Sequence, residues 1–157
     1  MRKSTLLLFV VLLIITNSFK QAEEIKWVDF NTGYNIATKK KKVMLIDVYT
    51  DWCGWCKVMD RETYAKSEIA EIINKNFVAI KFNPETPNVV YTYNGGKFNG
   101  KGLRDTISNR RINGYPATLF FNTKNQKTNL VSGYLNPEEF KAAINHSLIE
   151  VGKTTQN

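Results

Sequence analysis

The sequence predicts an α/β domain: a central mixed β-sheet with helices on both faces. Three observations carry this. The runs "VMLIDVY" (43–49) and "FVAIKF" (77–82) are almost wholly apolar, as strands buried on both faces are. Stretches of helical periodicity separate such runs. "ATLFFN" (117–122) and "NLVSGYL" (129–135) flank the polar turn "TKNQKT", which adds an antiparallel pair.

Taken in order, "IKWVDF" (25–30) alternates weakly and reads as a short strand. Asn31 to about Lys40 reads as a first helix, although Gly33 and the threonines are poor helix formers. "VMLIDVY" follows as a strand with one aspartate in it, and "CKVMDRETYA" (56–65) then opens a helix. Ser67 is expected to cap "EIAEIINKNF", whose Ile69, Ile72 and Ile73 share one face. After the "FVAIKF" strand the pattern breaks into prolines, glycines and aromatics. Within that break "VVYTYNGGKF" reads as a hairpin around Asn94-Gly95-Gly96. "LRDTISNRR" (103–111) reads as a helix. Asn136-Pro137-Glu138-Glu139 opens the last helix with a capping side chain, a proline at the first position and acids in the first turn.

A chain of 157 residues, 43% hydrophobic and 23% charged, has the composition of one globular domain rather than a disordered tract. The N-terminus, "MRKSTLLLFVVLLIITNSFKQAEE", sets two cations before an apolar stretch from Leu6 to Ile15. A spanning helix needs about 20 apolar residues, so residues 1–22 read as a secretory signal peptide, with an uncleaved anchor as the alternative. The folded domain is expected over 23–152 with a polar tail at 153–157, in a periplasmic or secreted setting where disulfides persist. The net charge of +8 falls to +5 without the leader cations Arg2, Lys3 and Lys20. Much of the remainder is the run Lys39 to Lys42, which reads as a solvated loop or helix end. Nucleic acid is therefore not an expected partner, and a membrane is expected only if the leader stays attached.

The only two cysteines, Cys53 and Cys56, lie in "YTDWCGWCKVMD" (49–60). A disulfide across a two-residue gap closes too small a loop to stabilise much. Structural zinc requires four nitrogen or sulfur ligands, and the chain adds only the distant His146. A shared intersubunit site or a soft cuprous ion would be needed for a metal. Redox chemistry explains the spacing better, because one thiolate must attack and a second must release the mixed disulfide. At the N-terminus of a helix entered through Gly54, Cys53 would be favoured as thiolate; such thiols titrate at roughly 3.5–7.5 instead of about 8.5. Cys56 would lie one turn further in and more buried. Glycine at 54 lets another chain approach closely.

Here "VMLIDVYTDWCGWCK" resembles the active-site strand and loop of the thioredoxin superfamily. "VAIKFN" and "GYPATLFF" resemble that family's neighbouring strand and cis-proline loop. With a hairpin-like insert before the proline loop, the chain is similar to secreted bacterial thioredoxin-like proteins with a CGWC active site. The resemblance covers residues 25–150.

The resemblance implies a thioredoxin-like fold, with Cys53 attacking and Cys56 resolving. Asp47 matches a buried aspartate that takes the proton from Cys56. Lys81 matches a lysine paired with it. Trp52 would wall the site, and Gly54, Trp55, Tyr115 and Pro116 would meet the substrate. Pro116 would be cis and would set the Tyr115 backbone beside the cysteines to bind an extended strand. The ordinary alternatives are an outward carboxylate, a surface lysine and a trans loop proline.

Two departures stand out. Trp55 occupies a place where thioredoxin has proline, so the direction of electron flow is not inherited. In the insert from Pro84 to Gly102, Tyr91, Tyr93 and Phe98 either form a partner-binding rim or pack on the domain.

The sequence thus leads to an extracytoplasmic thiol–disulfide oxidoreductase that reduces or isomerises disulfides in exported proteins through a Cys53 mixed disulfide. It would work as a monomer, without cofactor or metal, with a redox partner to reset the pair. The alternative is a binding module of the same fold, a chaperone or copper carrier whose thiols hold rather than exchange. Asp47 argues against it, because a passive clip does not require that carboxylate.

Overall fold

The computed structural model describes residues 22–152. The signal-peptide reading, apart from Ala22, and the 153–157 tail lie outside them. The chain runs α1 (Phe30–Lys40), β1 (Val43–Val48), α2 (Gly54–Met59), a π-helical turn (Asp60–Tyr64), α3 (Ser67–Asn76), β2 (Phe77–Phe82), β3 (Tyr91–Tyr93), β4 (Gly96–Phe98), α4 (Gly100–Ile107), β5 (Ala117–Asn122), β6 (Thr128–Ser132) and α5 (Pro137–Gly152). The main sheet has the order β2-β1-β5-β6, and β3-β4 form a separate hairpin. β1 pairs parallel with β2 and antiparallel with β5, which pairs antiparallel with β6. This is the mixed sheet that the sequence predicts.

Alternation along β1 divides the core. Met44, Ile46 and Val48 join Phe30, Ile80, Phe82, Leu103, Leu119 and Phe121 on one face. Leu45 points the other way, toward Met59, Tyr64, Ile69, Ile73, Phe120, Phe140 and Ile144. Asp47 shares the parity of Leu45 and lies in the same layer as Tyr64. Both faces are covered, which explains why β1, β2 and β5 read as mostly apolar runs.

Some local expectations are corrected. The 25–30 strand reduces to a single bridge, Val28 to Ile80. Asp29 is instead spent capping α1, accepting from the Thr32 N–H at 3.0 Å and its hydroxyl at 2.6 Å. Lys66, in extended conformation and without a side-chain cap bond, precedes α3, so Ser67 is its first helical residue. The 103–111 helix is displaced to Gly100–Ile107, because the Asn99 side chain caps it by accepting from Gly102 N at 2.7 Å. Asn109 and Arg110 then turn left-handed and end it.

The hairpin forms on Asn94-Gly95, both at positive φ (48° and 76°), the turn that matches the twist of the flanking strands. Its tyrosines settle the open question about the insert: Tyr91 and Tyr93 are buried in the core beside Phe30 and Phe82, with Phe98 packed against them. They are not a rim.

Gly33, which looked like a weakness in α1, is required by packing. A Cβ there would stand 2.3 Å from Ile80 Cγ1 and 2.5 Å from its Cδ1. Ile80 is fully buried and cannot move aside cheaply. Gly33→Ala is therefore expected to destabilise the fold by about 1–3 kcal/mol in denaturant titration, despite alanine's better helix propensity.

Candidate active site

β1 ends at Val48, and the loop that follows delivers Cys53 to the start of α2. Cys53 is the N-cap residue, extended at φ −74° and ψ 104°. Its Sγ accepts the Cys56 N–H at 3.1 Å, so a backbone donor already faces the sulfur that would carry negative charge. Cys53 and Cys56 are joined as a disulfide with Cα atoms 5.3 Å apart. The expected contrast in burial is absent in this oxidised form: the residues are 4% and 3% exposed. A Cβ at Gly54 would meet nothing within 4 Å, which leaves open space beside the disulfide.

The Tyr115–Pro116 peptide bond is cis. The Gly133 N–H donates to the Pro116 carbonyl at 2.8 Å and ties this loop to the end of β6. Trp55, Tyr115, Pro116, Gly133 and Tyr134 line a cleft of about 280 Å³. The tryptophans flanking Cys53 stand out into solvent, Trp52 at 67% and Trp55 at 61% exposure. Trp52 lies edge-on to Tyr115 with ring centroids 5.8 Å apart, and its indole N–H donates to Glu85 at 2.8 Å. Trp55 packs on Tyr134 at 5.5 Å, and the Tyr134 hydroxyl donates to Glu62 at 3.1 Å.

Asp47 is buried in β1, opposite Lys81 of β2 and Thr118 of β5 in the sheet register. Lys81 Nζ donates to Asp47 Oδ2 at 2.6 Å and also to Asp60 Oδ1, from the π-helical turn. The Tyr64 hydroxyl donates to Asp47 Oδ1 at 3.4 Å and lies 3.3 Å from the Thr118 hydroxyl. The rings of Trp27, Tyr49 and Tyr64 surround the ammonium at 5.1, 5.0 and 5.3 Å. A cleft of about 390 Å³, lined in part by Trp27, Asp60, Tyr64 and Lys81, opens beside the pair.

One ammonium thus serves two carboxylates, and the charges respond accordingly. Burial lifts the Asp47 carboxyl above its ordinary value, against the opposing pull of Lys81. Burial alone would lower Lys81, but Asp47 and Asp60 outweigh it and leave the ammonium held more firmly than usual. Burial, then the charge of Asp47, pushes the Tyr64 phenol well above the tyrosine range, so it stays a donor.

Cys53 and Cys56 form the disulfide, with Trp52, Gly54 and Trp55 beside them in the chain; Tyr115 meets Trp52 and lines the cleft with Trp55 and Pro116, and Asp47 and Lys81 pair across β1 and β2. Asp60, Tyr64, Thr118, Glu85, Tyr134 and Arg104, which donates to the Tyr115 hydroxyl at 3.1 Å, were missed. Only the first two left a signal: Asp60 and Tyr64 are four apart, the spacing of one helical face. His146 is exposed on α5. Among the described residues no group of three or more His, Cys, Asp or Glu is placed to hold a metal. No helix among them is long and apolar enough to cross a membrane.

A mixed sheet with a Cys-x-x-Cys disulfide at a helix start, a cis-proline loop and a buried aspartate defines a thioredoxin-like thiol–disulfide oxidoreductase. The chain belongs to the Thioredox_DsbH family, described as "Protein of unknown function, DUF255", which it matches over residues 18–155. It is 25% identical over 131 residues to the thiol:disulfide interchange protein DsbD of Ralstonia nicotianae, covering 83% of this chain and 19% of DsbD. The structure of a thioredoxin from Thermus thermophilus is similar at a TM-score of 0.60 and 14% identity, covering 84% of this chain and 92% of that one. A structure of DsbH oxidoreductase is similar at a TM-score of 0.59 and 13% identity, covering 85% and 94%. The chain spans between 7% and 19% of the length of the curated relatives it matches.

Proposed function

We propose that this chain is an extracytoplasmic oxidoreductase that reduces or isomerises disulfides in exported proteins. The observation that carries the reading is the Cys53–Cys56 disulfide, with Cys53 at the helix start accepting the Cys56 N–H. A dithiol partner first reduces the pair, passing it two electrons and two protons. The Cys53 thiolate then attacks a substrate disulfide: a Cys53–substrate bond forms, the substrate S–S bond breaks, and one substrate thiolate leaves. Asp47 takes the proton from Cys56. The Cys56 thiolate attacks Cys53 Sγ, which restores the internal disulfide and frees the second substrate thiolate.

Trp52, Gly54, Trp55, Tyr115 and Pro116 receive the substrate, and Lys81 holds Asp47. The leader at 1–22 supports export of a 23–152 domain to the periplasm or beyond, where the chain acts as a monomer. The relative named a thiol:disulfide interchange protein supports the chemistry. In an insulin-reduction assay with dithiothreitol, the wild-type chain should accelerate precipitation and Cys53→Ser should fall to the rate without protein. Activity unchanged by that substitution would defeat the mechanism. Equilibration against glutathione then reads the direction: a potential nearer about −270 mV fits reduction, and one nearer about −120 mV fits a dedicated oxidant.

A further inference from the structure

The insert does not reach the disulfide with its own aromatic residues, yet it holds the wall beside it. Trp52 is two-thirds exposed next to the reactive bond, a place where a large apolar side chain serves recognition. A mobile tryptophan would lose much of its binding energy on being ordered. This one is held by two contacts, Glu85 on its indole nitrogen and the Tyr115 ring edge-on to it.

Tyr115 is in turn fixed by α4. Its hydroxyl accepts from Arg104 Nη1 at 3.1 Å. Arg104 is itself oriented by Asp105, whose Oδ1 accepts from Nε at 2.8 Å and from Nη2 at 2.6 Å. The helix is seated through buried Leu103 and Ile107. At its first residue, Gly100, a Cβ would stand 2.2 Å from the Pro84 carbonyl oxygen. The helix that carries Arg104 therefore abuts the turn that carries Glu85, and both restraints on the wall come from one packed unit.

We propose that Arg104 is a positioning residue for substrate recognition: it holds the Tyr115 ring against Trp52, so that a preformed aromatic wall favours polypeptide disulfides over small ones. This rests on the oxidoreductase reading above. A small disulfide such as hydroxyethyl disulfide has only short arms beside its sulfurs, whereas the residues flanking a protein cystine would lie along the wall. The test compares kcat/KM for insulin with kcat/KM for hydroxyethyl disulfide. Arg104→Ala and Tyr115→Phe should each lower the insulin-to-small-disulfide ratio on the order of three- to tenfold, carried mainly by KM for insulin. Arg104→Lys keeps a donor and should recover most of the ratio. The double variant should fall no further than either single one, because both remove the same hydrogen bond.

An unchanged ratio, equal losses on both substrates, or losses that add in the double variant would each overturn the role of Arg104 while leaving the oxidoreductase reading intact. A wild-type chain that reduces neither substrate would overturn that reading and the proposal with it.

Discussion

Cys56→Ser is expected to capture the protein in mid-reaction. With Cys53 free to attack and no second thiol to release the product, the mixed disulfide persists. Incubated with a disulfide-bonded protein, this variant should migrate in non-reducing gels as a one-to-one adduct that dithiothreitol dissolves. Cys53→Ser should form none. The asymmetry follows from the two positions on α2: Cys53 is the cap residue at the open end beside Gly54, and Cys56 is one turn inside. Adducts through Cys56 in the Cys53→Ser variant would reverse the assignment of the two sulfurs.

The second large effect concerns stability, and its sign follows from Asp47. Burial raises the folded-state value of this carboxyl above the unfolded one near 3.8, even with Lys81 beside it. The native protein therefore holds the proton at a pH where the unfolded chain has released it. The resulting stability is fully present below the unfolded value and is lost as pH rises through the folded one. At neutral pH Asp47 accordingly weakens the fold that carries it.

By this sign, Asp47→Asn should make the oxidised protein more resistant to guanidinium at pH 7, with the gain vanishing toward pH 3. Lys81 keeps Asp60 as its partner in that variant. The same substitution should slow insulin reduction, because Cys56 would lose the proton acceptor proposed for it. A loss of stability at neutral pH, or a gain that does not change with pH, would contradict this account of the carboxylate.

The parts of the fold that could be read from the sequence are those whose causes are local. β2 and β5 were legible to the residue, since a strand buried on both faces leaves a mostly apolar run. Asp47 stood out because a charge inside such a run demands a reason. The opening of α5 was legible because Asn136 and Glu139 cap it in sequence: the Asn136 side chain accepts the Glu138 and Glu139 N–H groups, and Glu139 reaches back to the Asn136 N–H.

What stayed hidden depends on segments that meet only after folding. Glu85 reaches Trp52 across 33 positions, and Trp55 meets Tyr134 from a different strand end. Asp60 meets Lys81 from the π turn after Met59; its spacing from Tyr64 marks a helical face but not that partner. The insert's tyrosines could not be assigned from pattern alone, since an aromatic in a loop reads the same whether it faces a partner or Phe30.

Everything proposed here depends on an ionised, accessible sulfur at Cys53 in the reduced protein. Iodoacetamide labelling of the reduced chain across pH, resolved cysteine by cysteine through mass spectrometry, reads that state directly. The account predicts that Cys53 is labelled first, along a titration curve centred below the ordinary thiol value of about 8.5, with Cys56 following slowly. Two sulfurs equally inert until above that pH, or Cys56 labelled ahead of Cys53, would contradict it.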